Sequence, residues 1–505
     1  MMTKHRIPAL PTLSQLLEGI VNVSPAVDMH IAAIHLDSRK VQSASLFLAI
    51  EGLHVSGSRY IQDAIARGAV AILVEASSEF HNVAVRVPVF QVMDLQAKVG
   101  LIASRFYGDP SADLFITGIT GTNGKTSIAY YLAQAFSDNG TQAVGSIGTL
   151  GYGEFGNLVA TANTTPDAIT IQQQLSQFRA RKIHDVVMEV SSHALEQCRV
   201  NNVLFNTAVF SNLSRDHLDY HREMSSYGEA KKKLFMMPGL RNAVINMDDS
   251  LGAALIKELD GQIDTFSYGL VDNVREKTKP RPLIEAVIAR QEINSLQLQI
   301  NSPWGSGELI SRLSGRFNAY NLLAALTVLC LREIPFEIAL EKLSVVRGVP
   351  GRMEYFGTAE SARIFVDYSH TPDALQQALM SLREKCTGKL VCVFGCGGDR
   401  DKGKRPEMGK VAETYADCVI LTSDNPRTES PESIIGDIQS GMSGLVPVVI
   451  HSDRAIAIHD AISSASKEDI VLIAGKGHET YQEIMSKKLP FSDRQLVRNL
   501  LEKTA

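Results

Sequence analysis

The residues best suited to chemistry follow a predicted buried strand in the first third of the chain. The segment GITGTNGKTS runs from Gly118 to Ser127, with a strand pattern, LFITGIT, before it and a helical pattern, TSIAYYLAQAF, after it. Backbone N–H groups of such a loop can surround phosphates, and the helix N-terminus adds the positive end of its dipole. Lys125 can reach the outer phosphates, and Thr126 can place its hydroxyl on Mg²⁺. The loop predicts nucleotide binding. Because Ile119 stands where the usual pattern has a glycine, an ordinary strand–helix turn is the alternative.

Acidic and histidine side chains follow the next predicted strands. Glu189 lies at the end of DVVMEV (185–190), and Asp216 and His217 follow NTAVFSNL (206–213). A carboxylate at the end of a buried strand is costly unless it faces a cation or a cavity, and oxygen ligands suit Mg²⁺. Taken alone, Glu189 fits a simple strand-end charge equally well, and His217 fits a structural histidine. The phosphate-binding pattern nearby favours Mg²⁺–nucleotide chemistry.

The elements that must position these groups alternate between strands and helices. The segment TTPDAITIQQQLSQFRA predicts a helix with Thr165 as N-cap and Pro166 at the first helical position, and TPDA recurs at 371–374 as the same start signal. A linker with glycine and proline is predicted at 345–356, after which four more strand candidates follow. The alternation predicts an α/β fold with mostly parallel sheets and ligands at the carboxyl ends of the strands.

Composition restricts the class of protein. The 505 residues suggest two to four domains, and a chain that is 45% hydrophobic and 21% charged is typical of globular proteins. A net charge of −5 argues against a dedicated nucleic-acid binder. The six cysteines fit neither a zinc site nor a disulfide framework, which indicates a reducing compartment. The N-terminal segment lacks a secretory core and the apolar stretch 322–331 is too short for a bilayer, so we expect a cytoplasmic protein without membrane or nucleic-acid partners.

Ten ordered motifs together resemble the Mur ligases of bacterial peptidoglycan synthesis, over essentially the whole chain. They are GTNGKTS at 121, NTTP at 163, MEVSSHAL at 188, SRDHLDYH at 214, SGRFNAYN at 314, PGRME at 350, DYSHTPDAL at 367, GCGGDRDKGKRP at 395, DNPR at 424 and GKGHE at 475. The resemblance implies a small α/β UDP-binding domain (1–107), a central P-loop ATP-binding domain with a parallel sheet (108–348) and a Rossmann-like amino-acid-binding domain (349–505).

The resemblance also implies a reaction. ATP, with Mg²⁺, would phosphorylate the D-glutamyl γ-carboxylate of UDP-N-acetylmuramoyl-L-alanyl-D-glutamate, and the amine of meso-diaminopimelate would displace the phosphate. A carboxylate is a poor electrophile, so phosphorylation supplies a leaving group, and the protein must neutralise charge on the phosphoryl oxygens. We expect a monomer.

Site residues carried over from the resemblance fall into four groups besides the amine pocket. The catalytic residues are Lys125, Glu189, His217, Lys231 and Arg352, and the metal residues are Thr126, Glu189, His217 and a carbamoylated Lys231. The ATP contacts are Gly121, Thr122, Asn123, Gly124, Lys125, Thr126, Ser127, Asn318 and Asp367. The contacts of the UDP-linked substrate are Leu36, Ser38, His54, Val55, Ser56, Asn163, Thr164, Thr165, Ser191, Gln197 and Arg199. Lys231 stands in a run of three lysines, and only the Y-x-x-A-K spacing selects it.

Enzymes that this chain resembles add either meso-diaminopimelate or L-lysine, and the resemblance makes the tetrapeptide at 424–427, here DNPR, the element that discriminates between them. Diaminopimelate differs from lysine by a distal carboxylate, which the guanidinium of Arg427, or of Arg400 as a second candidate, matches in bidentate geometry. The resemblance completes this pocket with Asp424, Asn425, Pro426, Gly475 and Glu479, the last facing the distal ammonium. An unpaired Arg427 would reject lysine, because its buried charge would be left unsatisfied. The alternative is that the two arginines are surface-loop charges.

Two other functions stay open at this point. Folylpolyglutamate synthetases resemble the central domain, but the N-terminal HLDSR segment and DNPR argue against them. A regulatory P-loop protein would bind ATP without an amine pocket and without Lys231. The glycine-rich segment at 395–398 does not continue into G-x-G-x-x-G, because Arg400 stands in the place of the third glycine, and we therefore exclude a nicotinamide cofactor.

Overall fold

The computed structural model describes residues 10–52, 56–77, 86–161, 163–271, 283–292, 295–357 and 361–504. The predicted contacts His54 and Val55 lie outside the described residues. The chain forms two compact units, each described here by itself. Unit 1 comprises residues 1–118, 141–208 and 233–241, and unit 2 comprises residues 119–140, 209–232 and 242–505.

The strands and helices of the described residues are numbered in chain order. The strands are β1 (Ala33–His35), β2 (Ser45–Ala49), β3 (Ala69–Glu75), β4 (Val89–Val92), β5 (Phe115–Thr120), β6 (Gly145–Gly148), β7 (Gly151–Glu154), β8 (Asn157–Val159), β9 (Asp185–Glu189), β10 (Thr207–Phe210), β11 (Asn242–Asn246), β12 (Asp264–Leu270), β13 (Leu283–Glu292), β14 (Ser295–Ser302), β15 (Gly305–Ser311), β16 (Glu354–Phe356), β17 (Arg363–Asp367), β18 (Leu390–Phe394), β19 (Cys418–Thr422), β20 (Val448–His451), β21 (Ile470–Ala474), β22 (Tyr481–Ile484) and β23 (Lys487–Pro490). The helices are α1 (Leu13–Leu16), α2 (Ile61–Ala66), α3 (Leu95–Phe106), α4 (Lys125–Ser137), α5 (Ala168–Ala180), α6 (Ser192–Glu196), α7 (Leu218–His221), α8 (Met224–Lys232), α9 (Ser250–Glu258), α10 (Arg316–Leu331), α11 (Phe336–Ser344), α12 (Pro372–Arg383), α13 (Lys404–Tyr415), α14 (Pro431–Gln439), α15 (Arg454–Ser464) and α16 (Asp493–Thr504).

Unit 1 contains a parallel sheet of order β1-β2-β3-β4. Helix α3 buries Leu95, Val99 and Ile102 against this sheet, and their spacing of four and three residues places them on one helix face. A second sheet of unit 1 has the order β10-β5-β9-β6-β7-β8. Strands β5 and β10 begin in unit 1 and end in unit 2.

Unit 2 contains part of the sheet to which β5 and β10 belong, and a further six-stranded sheet. The first has the order β15-β14-β13-β12-β11-β10-β5, with helix α10 contacting β11, β12 and β13. The second has the order β16-β17-β21-β18-β19-β20, in which every pair except β16–β17 is parallel. Its strands are buried on both faces by separate apolar clusters, as expected for a parallel sheet between two helical layers. The predicted α/β fold with parallel sheets is confirmed, whereas the three-domain boundaries stay a prediction.

One predicted helix start is wrong and its counterpart is right. Helix α5 begins at Ala168 with Asp167 as its N-cap, not Thr165, because the Thr165 hydroxyl donates to the main-chain oxygen of Glu189 at 2.8 Å. Helix α12 begins at Pro372 with Thr371 as its N-cap. The segment predicted as a linker at 345–356 ends in strand β16.

Among the described helices, none combines the length and the apolar character that crossing a bilayer requires.

Candidate active site

The phosphate loop (Gly121–Ser127) joins the end of β5 to the start of α4 in unit 2. Gly121 and Gly124 have φ of +144° and +87°, a region in which residues with a Cβ are strained. A Cβ at Gly121 would lie 1.9 Å from Ser211 Oγ, and one at Gly124 would lie 2.6 Å from Asn321 Oδ1. The loop therefore needs glycine at both positions, which explains its sequence without reference to a ligand.

The Nζ atoms of two lysines converge on one carbonyl of this loop. Lys125 Nζ donates to the oxygens of Gly121 and Thr122 at 2.8 and 2.7 Å, and Lys231 Nζ donates to Gly121 O at 2.7 Å. Lys231 lies on α8, is 2% exposed, and places Nζ 4.2 Å from the Tyr227 ring centre. Burial, reinforced by the charge of Lys125, holds the pKa of Lys231 well below its ordinary value. The structure thus favours a neutral amine at this position.

A cavity of about 310 Å³ opens beside the phosphate loop, entirely within unit 2. That volume is at the low end of the range for small-molecule sites. The cavity is lined by loop residues such as Asn123 and Ser127 and by residues of several other segments, among them Asp248, Tyr320 and Arg352. The predicted ATP contact Asp367 also lines the cavity, and Met353 N donates to its Oδ1 at 2.6 Å.

Arg352 is the predicted catalytic cation that follows the linker segment. Its guanidinium lies 4.4 Å from the Tyr368 ring centre, a cation–π arrangement. Its Nε is buried and has no hydrogen-bond partner among the described residues. A buried donor without a partner is costly, so this edge of the cavity is suited to an anionic group.

Asn318, predicted near the adenine, lines a smaller cavity of about 170 Å³ that also includes Arg352. Its Oδ1 accepts from Tyr131 Oη at 2.9 Å, and its Nδ2 donates to Ser314 O at 2.7 Å. These contacts fix the amide orientation within α10 and its preceding loop. A direct role towards a base stays a prediction.

Asp216 is the most buried acid near the predicted metal residue His217. Three basic side chains face its carboxylate: His217 Nε2 at 3.4 Å, His370 Nε2 at 3.6 Å and Lys404 Nζ at 3.7 Å. Burial opposes ionisation, but His370, His217 and Lys404 together hold the pKa of Asp216 well below its ordinary range. The His217 ring lies 6.1 Å from Tyr227, the residue that also contacts Lys231. Lys404, which was not among the predicted site residues, lies in the DKGKRP end of a quoted motif.

Asp373 is a second acid that the sequence prediction missed. Asn123 Nδ2 of the phosphate loop donates to Asp373 Oδ2 at 3.0 Å, and both residues line the larger cavity. Burial raises the pKa of Asp373, although hydrogen bonds from Ser214 and Asn123 oppose the rise. The available signal was the second TPDA motif, whose aspartate falls in the first turn of α12.

Glu189 belongs to unit 1, where it ends β9 and is buried. Its carboxylate accepts from Thr149 N at 2.8 Å and from Thr149 Oγ1 at 3.0 Å. Gly148 is required beside it, because a Cβ there would lie 2.3 Å from Glu189 Oε1. Thr149, which directly follows β6, was not among the predicted residues. Its position after a strand end was the available signal.

Several residues were predicted to contact the UDP-linked substrate, and most of those beside the second sheet of unit 1 form one hydrogen-bond network. Arg199 Nη1 donates to Thr165 O at 2.9 Å, and its Nη2 donates to Gln197 Oε1 at 2.6 Å. Ser191 N donates to Thr165 Oγ1 at 3.0 Å, and the Thr164 and Thr149 hydroxyls are 3.2 Å apart. The remaining described residues of this prediction lie elsewhere in unit 1: Asn163 is exposed, Leu36 and Ser38 follow β1, and Ser56 precedes the 3₁₀ turn Gly57–Tyr60.

The tetrapeptide loop (Asp424–Arg427) follows β19 in unit 2, and part of the predicted amine pocket is assembled there. Asn425 Nδ2 donates to Glu479 Oε2 at 2.8 Å, and Lys476 Nζ donates to the same oxygen at 2.7 Å. Gly475 has a φ of +110°, and a Cβ there would lie 2.4 Å from Asp424 Oδ2. Pro426 is buried behind Gly398. Asp424, Asn425, Gly475 and Glu479 are therefore neighbours, as predicted.

Arg427 is not the unpaired arginine that the sequence argument assumed. Its Nε lies 3.1 Å from Glu483 Oε2, and its Nη1 donates to Gly398 O at 2.8 Å. A Cβ at Gly397 would lie 3.1 Å from Arg427 Nη1 and 3.7 Å from Arg400 Cγ, so both arginines flank Gly397. Arg400 is exposed, and its Nη1 donates to Asp399 O at 3.1 Å. The premise of an unpaired charge at Arg427 is wrong, because the chain supplies its own carboxylate.

A metal site made of side chains alone is not formed by the described residues, among which no three His, Cys, Asp or Glu groups converge. The predicted metal residues Thr126, His217 and Lys231 lie in unit 2, and Glu189 lies in unit 1. The Thr126 hydroxyl is buried at the start of α4, next to the phosphate loop. The metal prediction thus depends on oxygen ligands from a bound nucleotide and from a modified Lys231.

Comparison with known proteins gives consistent matches along the chain. Three family models match: "Mur ligase family, catalytic domain" at residues 30–107, "Mur ligase middle domain" at 119–329 and "Mur ligase, glutamate ligase domain" at 351–477. A UDP-N-acetylmuramoyl-L-alanyl-D-glutamate–2,6-diaminopimelate ligase of Coxiella burnetii is 48% identical over 489 residues, which cover 97% of this chain and 99% of the relative. The ligase of the same name from Chromobacterium violaceum is 45% identical over 502 residues, which cover 99% and 98%. A solved structure under that ligase name aligns with a TM-score of 0.67 at 34% identity, covering 98% of this chain and 99% of that one.

Proposed function

The chain belongs to the Mur ligase family, and on that premise we propose that it is an ATP-dependent ligase that adds meso-2,6-diaminopimelate to UDP-N-acetylmuramoyl-L-alanyl-D-glutamate. The observation that carries the proposal is likeness at 48% identity to a ligase of that name, over 97% of the chain. The geometry of unit 2 supports ATP-dependent ligation, because this unit contains the phosphate loop, the basic side chains beside it and the tetrapeptide loop.

The first step is phosphoryl transfer. A carboxylate oxygen of the D-glutamyl residue attacks the γ-phosphorus of ATP, the bond from that phosphorus to the bridging oxygen breaks, and ADP leaves. Negative charge spreads over the transferred phosphoryl group, so the residues that bind it must supply positive charge and N–H donors. We assign this role to Lys125, to the N–H groups of the phosphate loop and to Arg352, whose buried Nε has no partner among the described residues.

We further propose that Lys231 is carbamoylated. Its neutral amine adds to carbon dioxide, an N–C bond forms and one proton is lost, which replaces a buried neutral amine by a carboxylate-like anion. The lowered pKa of Lys231 supports this step, because only the neutral amine is nucleophilic. Thr126, His217 and the modified Lys231 then have the oxygen and nitrogen donors to hold Mg²⁺, which when bound would neutralise phosphate charge. The part of Glu189 in such a site stays a prediction.

The second step is attack by the amine. The amine of diaminopimelate adds to the carbonyl carbon of the acyl phosphate, the C–O bond to phosphate breaks, and a proton leaves the nitrogen as the amide forms. Glu479 is held by Asn425 and Lys476, and this support fixes a carboxylate that can receive the distal ammonium. Arg400 and Arg427, which flank Gly397, are the proposed partners of the distal carboxylate. We propose that the chain acts in the cytoplasm as a monomer.

The test is phosphate release from ATP by the full chain, measured with and without each substrate. We expect release that requires both UDP-N-acetylmuramoyl-L-alanyl-D-glutamate and an amine, with a higher kcat/KM for meso-diaminopimelate than for L-lysine. Preference for lysine would keep the ligase and overturn the amine assignment. Release that ignores the amine would instead favour a regulatory nucleotide-binding protein.

A further inference from the structure

The hairpin of β22 and β23 lies against the tetrapeptide loop and carries a charge that the proposed reaction does not use. Arg427 N donates to Glu483 O at 3.0 Å, and Met485 N donates back to Arg427 O at 2.7 Å. Glu483 N donates to Asn425 Oδ1 at 2.8 Å, and Gln482 Nε2 donates to Asp424 O at 2.7 Å. These contacts hold β22 beside the loop like an added strand.

The backbone contacts determine where the Glu483 side chain lies. With its N–H and its carbonyl both bonded to the loop, Glu483 places a carboxylate oxygen 3.1 Å from Arg427 Nε. Arg427 has a φ of +51°, which is strained for a residue with a side chain, so its backbone is held by the same contacts. The two side chains are only 21% and 26% exposed, which makes their attraction weakly screened.

We propose that Glu483 is a specificity-determining residue that weakens the discrimination between diaminopimelate and lysine. The proposal rests on the proposed function, in which Arg427 receives the distal carboxylate of the amine substrate. A substrate carboxylate that approaches Arg427 is repelled by Glu483 and competes with it for the guanidinium. A substrate without that carboxylate leaves Arg427 paired with Glu483, so the penalty for an unpaired buried cation is avoided.

Both effects act in the same direction on selectivity. Glu483 lowers affinity for diaminopimelate and lowers the cost of binding lysine. Lys476 is already paired with Glu479, so the described contacts give this part of the pocket two internal ion pairs rather than a free positive charge. The selectivity that remains must come from the extra donors of Arg427 and from Arg400.

The test compares kcat/KM for meso-diaminopimelate with kcat/KM for L-lysine in the wild type and in Glu483→Gln. Glutamine keeps the size and the backbone contacts of Glu483 but removes its charge. We expect the ratio of the two values to rise about fivefold, the size typical of a partly exposed ion pair. Glu483→Asp, which keeps the charge, should return the ratio towards the wild-type value. Glu468→Gln, at an exposed position on the loop before β21, is the matched control and should leave the ratio unchanged.

The decisive comparison introduces Glu483→Gln into a variant that already carries Arg427→Ala. In that variant Glu483→Gln should no longer change the ratio, because the charge that Glu483 offsets is gone. An unchanged or lower ratio in Glu483→Gln would overturn the proposal, and so would an equal loss with both amines accompanied by a lower melting temperature, which would make Glu483 structural. Absence of amine-dependent phosphate release in the wild type would instead contradict the proposed function itself.

Discussion

The basic side chains at the phosphate loop and at the tetrapeptide loop, both in unit 2, have different kinds of bonding partner. Lys125 and Lys231 donate to the main-chain oxygen of Gly121, a dipole without net charge. Arg427, in contrast, lies against the carboxylate of Glu483. A bond to a carbonyl brings no opposite net charge, whereas a carboxylate offsets the charge of a guanidinium at short range.

The difference indicates two uses of positive charge. The Gly121 contacts of the two lysines include no carboxylate, so under the proposed function phosphate, or modification of Lys231, would add negative charge there. At the tetrapeptide loop, a substrate carboxylate bound as we propose would have to exchange with the carboxylate of Glu483 that the chain already provides. We therefore expect substitutions at the first loop to change activity most, and substitutions around the second to change stability and selectivity.

Replacing Lys231 by alanine should give the largest effect. We expect kcat to fall about 10²- to 10³-fold, as for removal of one group that stabilises transition-state charge. Stability should hold or rise, because a buried amine with a depressed pKa is removed. Phosphate release and thermal unfolding measure the two quantities.

Lys232→Ala is the control for this prediction. Lys232 is the next residue in the chain, but its Nζ pairs with Glu229 and Glu258 at 2.9 and 3.0 Å. We expect less than about a twofold change in kcat, since surface ion pairs contribute little. Equal losses in the two variants would show that the lysine run acts as a whole and would remove the special role of Lys231.

Gly124→Ala should give the next largest effect, and Gly140→Ala matches it in backbone conformation. The two glycines have φ of +87° and +88°, but a Cβ at Gly124 would lie 2.6 Å from Asn321 Oδ1 while one at Gly140 meets nothing within 4 Å. Both variants should lose about 1 kcal/mol from strain. Only Gly124→Ala should also weaken ATP binding, by about tenfold or more, since the clash displaces the loop. Calorimetric titration with ATP and chemical denaturation measure the two effects, and equal ATP affinities would contradict the loop geometry.

The two TPDA motifs show how far the sequence alone can predict local structure. At 371–374 the threonine caps α12 as predicted, because its hydroxyl is free to accept from Ala374 N. At 165–168 the same four letters start a helix with Asp167 as the cap, since the Thr165 hydroxyl bonds Glu189 O. Both helices were predicted, but the choice of cap depends on a strand 24 residues away in the chain.

The candidate site was predictable to a similar extent. The strand–loop–helix pattern predicted the phosphate loop, and the quoted motifs predicted the neighbours of Asn425. Both features could be predicted because short sequence segments encode them. Sequence motifs did not predict that Glu483 pairs with Arg427, since the contact arises from how the β22 hairpin lies against the loop. They also missed Asp373, which meets Asn123 across 250 positions of sequence. Long-range pairing of charges was the part that single-sequence reasoning could not supply.

Glu429, two residues beyond the tetrapeptide loop, should affect stability with a defined pH dependence. Hydrogen bonds from Arg405 lower its pKa from 4.5 to about 2 in the folded chain. The depressed folded pKa means that its stabilisation is present above about pH 4.5 and is lost as pH falls towards 2. Glu429→Gln should cost about 2 kcal/mol at pH 7, because it leaves the buried Arg405 with one carboxylate fewer.

Thermal unfolding of the wild type and Glu429→Gln between pH 7 and pH 3 measures this effect. The difference in melting temperature should shrink as pH falls below about 4.5, since the unfolded wild type then takes up a proton at Glu429 while the folded carboxylate, with a pKa of about 2, stays mostly ionised. The exposed Glu468→Gln variant should show no such convergence. A constant difference across the range would mean that the size of the side chain, rather than its charge, matters at this position.

Lys402→Met should give the smallest change in stability. Compared with Arg405→Met, it tests whether a contact with the Glu429 carboxylate stabilises the fold when the cation is exposed rather than buried. Lys402 Nζ lies 3.1 Å from Glu429 Oε2 but its side chain is 68% exposed, whereas Arg405 contacts the same residue at 2.8 Å and is fully buried. We expect Lys402→Met to change the free energy of unfolding by less than about 0.5 kcal/mol and Arg405→Met to cost about 3 kcal/mol. Chemical denaturation at low salt and near 1 M salt measures both costs. The cost of Lys402→Met should disappear near 1 M salt and that of Arg405→Met should remain, because screening acts on exposed charges. Similar losses of unfolding free energy in the two variants would mean that the net charge near Glu429, and not the burial of the cation, stabilises the loops there.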